Sequence, residues 1–591
     1  MTERRTALGV GLLAAFVAAV DGVRWVRPSL LLDSDPSWAA ERVVLGLLIA
    51  VAAVLAGVAA AGVFRLWSRI PAAAEPLPPL PLSSGTRAGL TAAALLIGAA
   101  LRFAALERVP EPMWVDDLSL IRPTLALRGS TSDFANATRD APYGVARPYG
   151  AVGVLYLEAY RASLKLWGTT VLGVRFPSAL AGVASLITAC LLGRALLPTG
   201  GGTLVALILA GLRWHLILSR WAWCMIVLAP IVDLATLLVL EARRRRRPGL
   251  ALAAGLTAGL GAHVYLSAWT AGAALTLFAL WPLEEATEGA EGQIGSRALR
   301  RRAAWAAAFV AGFSLAVAPI FLLKEGRRAS YFARTRDHNV ALEIARTKSW
   351  MPPFAAAADT FAAPWFLPDP SPRNDLDGRR RLGVLLGAAV AIAFGRALLR
   401  PRDRFSGLLL AHSAAVLAAV VAGGQADHPN GSRFAYLSSI AAVSAAAGVL
   451  WVVGLVPPQR RRAAAIAAVG ALAIGGVLGA RDALVRWPDA PETFDGFHGQ
   501  DTRIGRAAAR WDGYGTVEIA PGIGHSPLAI EAVRRYRLDP GPGGPAGPRE
   551  ALRVRIVAPA AAVGPGERVV ERIGDDGGKL WAVVLASRPK A

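Results

Sequence analysis

Cysteine is nearly missing from this chain: Cys190 and Cys224 are the only two, each in or beside an apolar run. A structural disulfide between them is not expected, and no Cys-x-x-Cys or Cys/His spacing suggests a metal cage. Charge is also sparse, at 18% of 591 residues, where ordinary soluble domains carry about 25%. Acidic residues are the scarcer kind, 42 against 64 basic ones. No internal repeat of fixed period is visible. Disorder, fibrous structure and a disulfide scaffold are excluded. What fills the chain instead is apolar, with 54% hydrophobic residues and a mean hydropathy of +0.43. The apolar residues come in blocks of Ala, Leu, Val and Gly, such as 43–63, 88–105 and 303–323. Blocks of roughly 20 residues match the hydrocarbon thickness a helix must cross. The reading is an all-α polytopic membrane protein.

A net charge of +22 would point to nucleic acid in a soluble chain. Here the excess is nearly all arginine in short loops between apolar blocks, so topology explains it and no nucleic-acid partner is expected. Candidate spans are about 7–20, 42–65, 88–105, 174–197, 203–218, 225–241, 250–264, 266–281, 304–323, 383–398, 406–422, 434–455 and 463–480, about thirteen in all. The first follows Arg4 and Arg5 as a signal peptide would, but no small-residue cleavage site comes before Asp21, so it reads as an uncleaved helix. With the N-terminus in the cytoplasm, alternation places five clusters there: Arg65/Arg69/Arg87, Arg243–Arg247, Arg297/Arg300–Arg302, Arg396/Arg400/Arg402/Arg404 and Arg460–Arg462. That is the bias retained basic residues produce. Arg379–Arg381 falls outside and breaks it, through a miscounted span or a role toward anionic headgroups.

The chain then divides into two N-terminal spans (1–66), a proline-rich cytoplasmic linker (67–87), a transmembrane module (88–481) and a soluble unit (482–591). The module carries two long outer loops, 106–173 and 324–382, and long loops are favoured seats of function. Residues 149–167 read as an amphipathic helix lying along the surface. In the last unit, 516–520, 552–558 and 580–586 read as strands, 527–537 as a helix and 539–548 as a Gly/Pro loop. This is a small α/β domain, placed outside the cytoplasm by an odd number of spans.

The most informative stretch is Pro110-Glu-Pro-Met-Trp-Val-Asp-Asp-Leu-Ser119 in the first outer loop. Two adjacent carboxylates, Asp116 and Asp117, follow a helix exit at a low-dielectric boundary. Such a group can accept the proton of a hydroxyl nucleophile. The plainer alternative is that the pair caps a short surface helix.

Pro112-Met-Trp-Val-Asp-Asp117 resembles the first-loop acidic motif of the GT-C membrane glycosyltransferases, above all the family-39 group of protein mannosyltransferases and bacterial aminoarabinose transferases. Gly153-Val-Leu-Tyr-Leu157, Leu166-Trp-Gly168, Val174-Arg-Phe-Pro-Ser-Ala-Leu-Ala-Gly182, Arg213-Trp-His-Leu-Ile-Leu-Ser-Arg220, residues 255–265 and Asp427-His-Pro-Asn-Gly-Ser-Arg-Phe434 are similar to later stretches of that group, in the same order. The resemblance covers about 88–455 and implies a GT-C-like module. It implies Asp116 as catalytic base, with Asp117 standing where the family has Glu. The donor implied is a sugar on a polyprenyl phosphate, moved with inversion to an acceptor hydroxyl outside a bacterial cytoplasmic membrane; the acceptor can be protein, lipid or glycan.

The departing phosphate carries charge near hydrocarbon and needs cations. Arg433 matches the family's phosphate-binding arginine, and Arg220 is a second candidate. Both would equally suit snorkelling to headgroups. Arg175 reads better as a helix-end anchor. His263 and Tyr265 could line the donor pocket or simply pack. Asp337-His338-Asn339 reads as a solvated loop or a metal or acceptor contact, Arg373-Asn374 as an acceptor or lipid contact, and Asp233 as an intramembrane polar contact. A lone Asp-Asp pair is a poor cage for a divalent cation, so the metal question stays open. The rival is a transporter or flippase of lipid-linked saccharide, but paired halves with broken midplane helices are not visible.

Overall fold

The computed structural model describes residues 77–121, 124, 154–283, 296–321, 362–423, 431–538, 552–574 and 579–588. The spans expected at 7–20 and 42–65, most of the linker, Asp337-His338-Asn339 and the loop 539–548 lie outside them. The helices run in the order α1 (Ser84–Phe103), α2 (Val115–Ser119), α3 (Val154–Trp167), α4 (Val171–Leu196), α5 (Gly201–Gly211), α6 (Arg213–Leu218), α7 (Leu228–Arg245), α8 (Pro248–Leu260), α9 (Ala268–Leu280), α10 (Ser296–Phe321), α11 (Gly383–Leu399), α12 (Arg404–Gly423), α13 (Leu437–Leu455) and α14 (Arg461–Arg481).

Helix starts follow local chemistry. Ser83 accepts the Thr86 amide at the head of α1 and Thr170 accepts the Gly173 amide at the head of α4, each satisfying an orphan donor of the first turn. The linker expected to reach residue 87 therefore ends at Ser83. Among the described residues, six helical segments are long and apolar enough to cross a membrane, and seven if α11 and α12, which meet at 102°, form one broken span. The protein is a multi-pass membrane protein, and among the described residues the full-length spans are fewer than the eleven apolar blocks expected there. The block 203–218 shows why. It breaks at Leu212 into α5 and α6, because Arg213 binds Asp375 and Asp482 and a charge does not stay unpaired in hydrocarbon.

Small residues let helices meet backbone to backbone. A Cβ at Gly255 of α8 would strike the Phe309 carbonyl of α10, and one at Gly312 of α10 the Leu252 carbonyl of α8. Close approach of this kind replaces the hydrophobic drive that lipid removes. Between α7, α13 and α4, buried Asp233 accepts from Thr188 (2.8 Å) and Ser439 (2.9 Å).

The bundle has two different ends. α1 begins beside Arg87, α14 begins with Arg461 and Arg462, and α11 ends with Arg396. Arg243, at the end of α7, donates to the Phe278, Ala279 and Trp281 carbonyls, and Trp281 donates to the Pro401 carbonyl. The opposite tips of α1, α11, α13 and α14 carry the turn to α2, the 362–382 loop, the Gly431–Phe434 turn and the C-terminal unit.

That unit holds α15 (Gly499–Trp511), α16 (Pro527–Tyr536) and the strands β1 (Gly515–Ile519), β2 (Leu552–Val557), β3 (Arg568–Gly574) and β4 (Leu580–Ser587). The sheet order is β1-β2-β4-β3, parallel at β1–β2 and antiparallel elsewhere. A parallel neighbour requires a crossover, and α16 lies within it. Ile504, Ala508, Trp511 and Ile530 cover one face of the sheet over Val554, Ile556 and Val584. Three strands and α16 match the sequence expectation. β3 and α15 were not anticipated; β3 alternates poorly and is bulged near Val569/Glu571. Trp487 and Phe497 join the bundle's core, where Phe497 meets Trp221 edge-on at 5.6 Å and Trp487 at 5.9 Å.

Candidate active site

The segment between α1 and α2 has little regular structure, so its carbonyls need donors. Two buried arginines supply them. Arg220 donates to the carbonyls of Leu101 (2.7 Å), Arg102 (3.3 Å), Ala104 (2.6 Å) and Val109 (3.2 Å). Arg175, from the first turns of α4, donates to those of Leu106 and Pro112, both at 2.9 Å. The guanidinium fork suits this because one planar group reaches several acceptors and stays charged. Both terminal nitrogens of Arg220, the second candidate for the lipid phosphate, are engaged by this segment. Arg175 is more than a helix-end anchor, because it reaches both flanks of the same loop.

Residues held this way lead into α2. Trp114 is the N-cap and makes no side-chain cap bond. Asp116 and Asp117 therefore lie within the first helical turn rather than capping it. Carboxylates there are favoured by the helix dipole. Asp117 is 2% exposed, and its carbonyl accepts the Tyr160 hydroxyl of α3 at 3.0 Å. The amphipathic segment 149–167 is represented by α3, which packs on α4.

Arg433 sits half-buried in the 3₁₀ turn Gly431–Phe434. That turn is fixed by Asp369, whose Oδ2 accepts the Gly431 amide at 2.7 Å and Arg381 at 3.0 Å. Asp369 Oδ1 accepts from Ser371 N (2.9 Å) and Asn374 Nδ2 (3.3 Å). Arg381 also donates to the Ala363 carbonyl. The exception to the charge bias at Arg379–Arg381 thus has a local cause: Arg381 is buried in an ion pair.

The two halves meet through Arg373. Its guanidinium lies 3.6 Å from the Trp114 ring centroid, and its neighbour Asn374 holds Asp369. A cation over an indole face is the strongest arrangement of its kind. The acidic helix and the Arg433 turn consequently share one end of the bundle. His263 and Tyr265 sit apart from this link: the His263 ring bonds the Ala316 carbonyl of α10 at 2.8 Å, Tyr265 is buried, and their turn packs beside α3. No group of three or more His, Cys, Asp or Glu able to hold a metal occurs among the described residues.

Sequence reasoning did not identify Trp114, Glu111 or the C-terminal histidines. His498, at φ 52 before α15, stacks on Trp114 at 5.2 Å, and His525 meets it edge-on at 4.5 Å. Burial lowers the His498 pKa, and His525 and Arg373 add to the effect against Asp501 and Asp495. Asp501 accepts the His525 and Ser526 amides, while burial pushes its carboxyl above the usual range. Nothing in local spacing announces these contacts.

No family model matches this chain, and no curated protein does. Among solved structures it is similar to ArnT from Cupriavidus metallidurans bound to undecaprenyl phosphate, at 13% identity and a TM-score of 0.47, over 86% of this chain and 100% of that one. It is also similar to the oligosaccharyltransferase AglB from Archaeoglobus fulgidus in complex with an inhibitory peptide and a dolichol-phosphate, at 14% identity and a TM-score of 0.40, over 79% of this chain and 61% of that one.

Proposed function

We propose that this protein is an inverting membrane glycosyltransferase of the GT-C type, taking a monosaccharide from a polyprenyl phosphate. The observation that carries the reading is the link from Trp114 through Arg373, Asn374 and Asp369 to Gly431, which keeps the acidic helix and Arg433 at one end. That end lies opposite the arginine clusters, and the inside-positive bias supports reading it, with the C-terminal unit, as the outer face of a bacterial cytoplasmic membrane.

In this scheme Asp116 accepts the proton of an acceptor hydroxyl. The new bond joins that oxygen to the anomeric carbon while the bond from carbon to the lipid-phosphate oxygen breaks, inverting the centre. Arg433 balances the charge left on the phosphate as it forms, where low dielectric makes such a contact strong. Asp117 supports the base from the buried side of α2.

The test uses the full chain in lipid nanodiscs with labelled polyprenyl-phosphate sugars and cell-envelope fractions as acceptors. Asp116→Asn is expected to reduce transfer by about 10²–10⁴-fold, the range for general base catalysis, and Arg433→Ala to raise the KM for the donor. Transfer that survives Asp116→Asn would remove the base from the scheme. Translocation of the lipid-sugar without transfer would replace the enzyme with a flippase.

A further inference from the structure

The acidic segment is gripped from the C-terminal unit as well as from the membrane. Glu111, five positions before Asp116, accepts Arg503 through both carboxylate oxygens (Nη2–Oε2 2.7 Å, Nε–Oε1 3.0 Å) and Arg506 Nη1 at 3.2 Å. The Met113 amide donates to Thr502 Oγ1 at 3.1 Å. Thr502, Arg503 and Arg506 project from one side of α15, as residues one turn apart do. Arg503 is itself oriented: it donates to the Gly574 carbonyl of β3 at 2.8 Å and lies 4.9 Å over Phe494. Next along the chain, Trp114 stacks on His498, and α16 packs against α2.

These bonds are poorly suited to docking the unit. The Glu111 side chain is 39% exposed, and ion pairs of that exposure contribute little to stability. Docking has stronger means elsewhere. Buried Trp487 donates to the Pro372 carbonyl at 2.7 Å, Phe497 packs on Trp221, and Arg213 reaches Asp482. Loss of Glu111 would leave that seam intact and free only the approach to α2.

We infer that the C-terminal unit is a positioning element of the reaction centre, in which Arg503 and Arg506 on Glu111, with Thr502 on Met113, set where α2 presents its carboxylates. This rests on the reading of Asp116 as base. Arg503 and Arg506 are positioning residues and touch no reacting atom. Because misplacement of a reacting group by about 1 Å costs up to about 10²-fold, the clamp acts on kcat, whereas the Arg433 turn is held separately by Asp369.

The experiment compares Glu111→Gln, Arg503→Gln, their combination and Arg503→Lys in the full-length protein in nanodiscs. Kinetics toward the polyprenyl-phosphate sugar, the thermal midpoint and the Asp116→Asn baseline are read together. Each glutamine variant should lower kcat by up to about fivefold, the most that a contact of this exposure can shift, with donor KM and thermal midpoint at wild-type values. The combination should lose no more than either single change, since both break one interaction, and Arg503→Lys should recover part of kcat. If Asp116→Asn abolishes transfer while the glutamine variants keep wild-type kcat, the positioning role is overturned and the base reading survives. A matching fall in thermal midpoint or donor affinity would reassign the clamp to folding. If Asp116→Asn keeps its activity, the base reading itself fails.

Discussion

Asp369→Asn is the perturbation that most directly probes how Arg433 is held. The carboxylate and its partner Arg381 are both inaccessible to solvent, and the same oxygen that meets Arg381 also accepts the Gly431 amide, two residues before Arg433. Asparagine preserves the shape but removes the charge that compensates the buried Arg381 guanidinium. Breaking a buried pair from one side costs about 3–5 kcal/mol, most of it the uncompensated charge. The expected result is therefore a large fall in stability, measured by the thermal midpoint in nanodiscs, accompanied by a rise in donor KM. Adding Arg381→Met should restore part of the stability, because replacing both members of such a pair by neutral groups is often near neutral. It should not restore donor affinity if the Gly431 contact requires the carboxylate. The reasoning fails if Asp369→Asn costs less than about 1 kcal/mol, the scale of an ordinary hydrogen bond, and leaves the donor KM at the wild-type value.

Arg175→Leu should destabilise the loop leading to α2, since it strands two buried carbonyls, each at about 1–3 kcal/mol; limited proteolysis between residues 104 and 114 measures the opening, and an unchanged cleavage rate would contradict the assignment. Acidification should loosen the contact of the C-terminal unit with Trp114. His498 titrates lower in the folded chain than its ordinary value of about 6.5, so the unfolded state binds more protons and stability falls as pH drops below that value. Asp501, raised by burial, acts in the opposite sense at lower pH, where the folded chain takes up its proton first. The net loss should thus set in as the pH falls below about 6.5. His498→Asn, which tolerates the left-handed backbone, should flatten the pH slope of the thermal midpoint, and an unchanged slope would dismiss this account.

Apolar runs made much of the bundle legible. The expected spans 174–197, 225–241 and 434–455 correspond to α4, α7 and α13, within a few residues at each end, because a run near 20 residues has few alternatives in lipid. Where the reading diverged, a polar residue decided. Arg213 broke a run that composition treated as continuous. For the site, a local motif could show Asp116 and Asp117, because adjacent carboxylates after a helix exit are visible in a single stretch. It could not show that Glu111 meets Arg503 across 392 positions, or that Arg373 covers Trp114. Such pairings depend on how helices bring their ends together. Nor could a local motif show what Arg220 touches, because an arginine at a helix end looks alike whether it faces headgroups or backbone carbonyls.

The arginine excess, puzzling as a bulk charge, separates into two uses with different physics. At one end the residues come in clusters with few acidic neighbours, and their number is what matters for retaining loops on one side of the membrane. At the other they occur singly and buried, each engaged by specific oxygens: Arg175 and Arg220 by carbonyls, Arg213 by Asp375, Arg381 by Asp369. Lysine could replace the exposed members of the first group, such as Arg244–Arg247, at little cost, since only charge is required there; Arg243 is the exception, buried against three carbonyls. Lysine could not replace the second group, because an ammonium lacks the fork that lets Arg175 join the Leu106 and Pro112 carbonyls, and it loses its proton readily when buried. Substituting lysine at Arg244–Arg247 should therefore leave the loop to α2 intact, while Arg175→Lys should open it, although both preserve the formal charge of the chain.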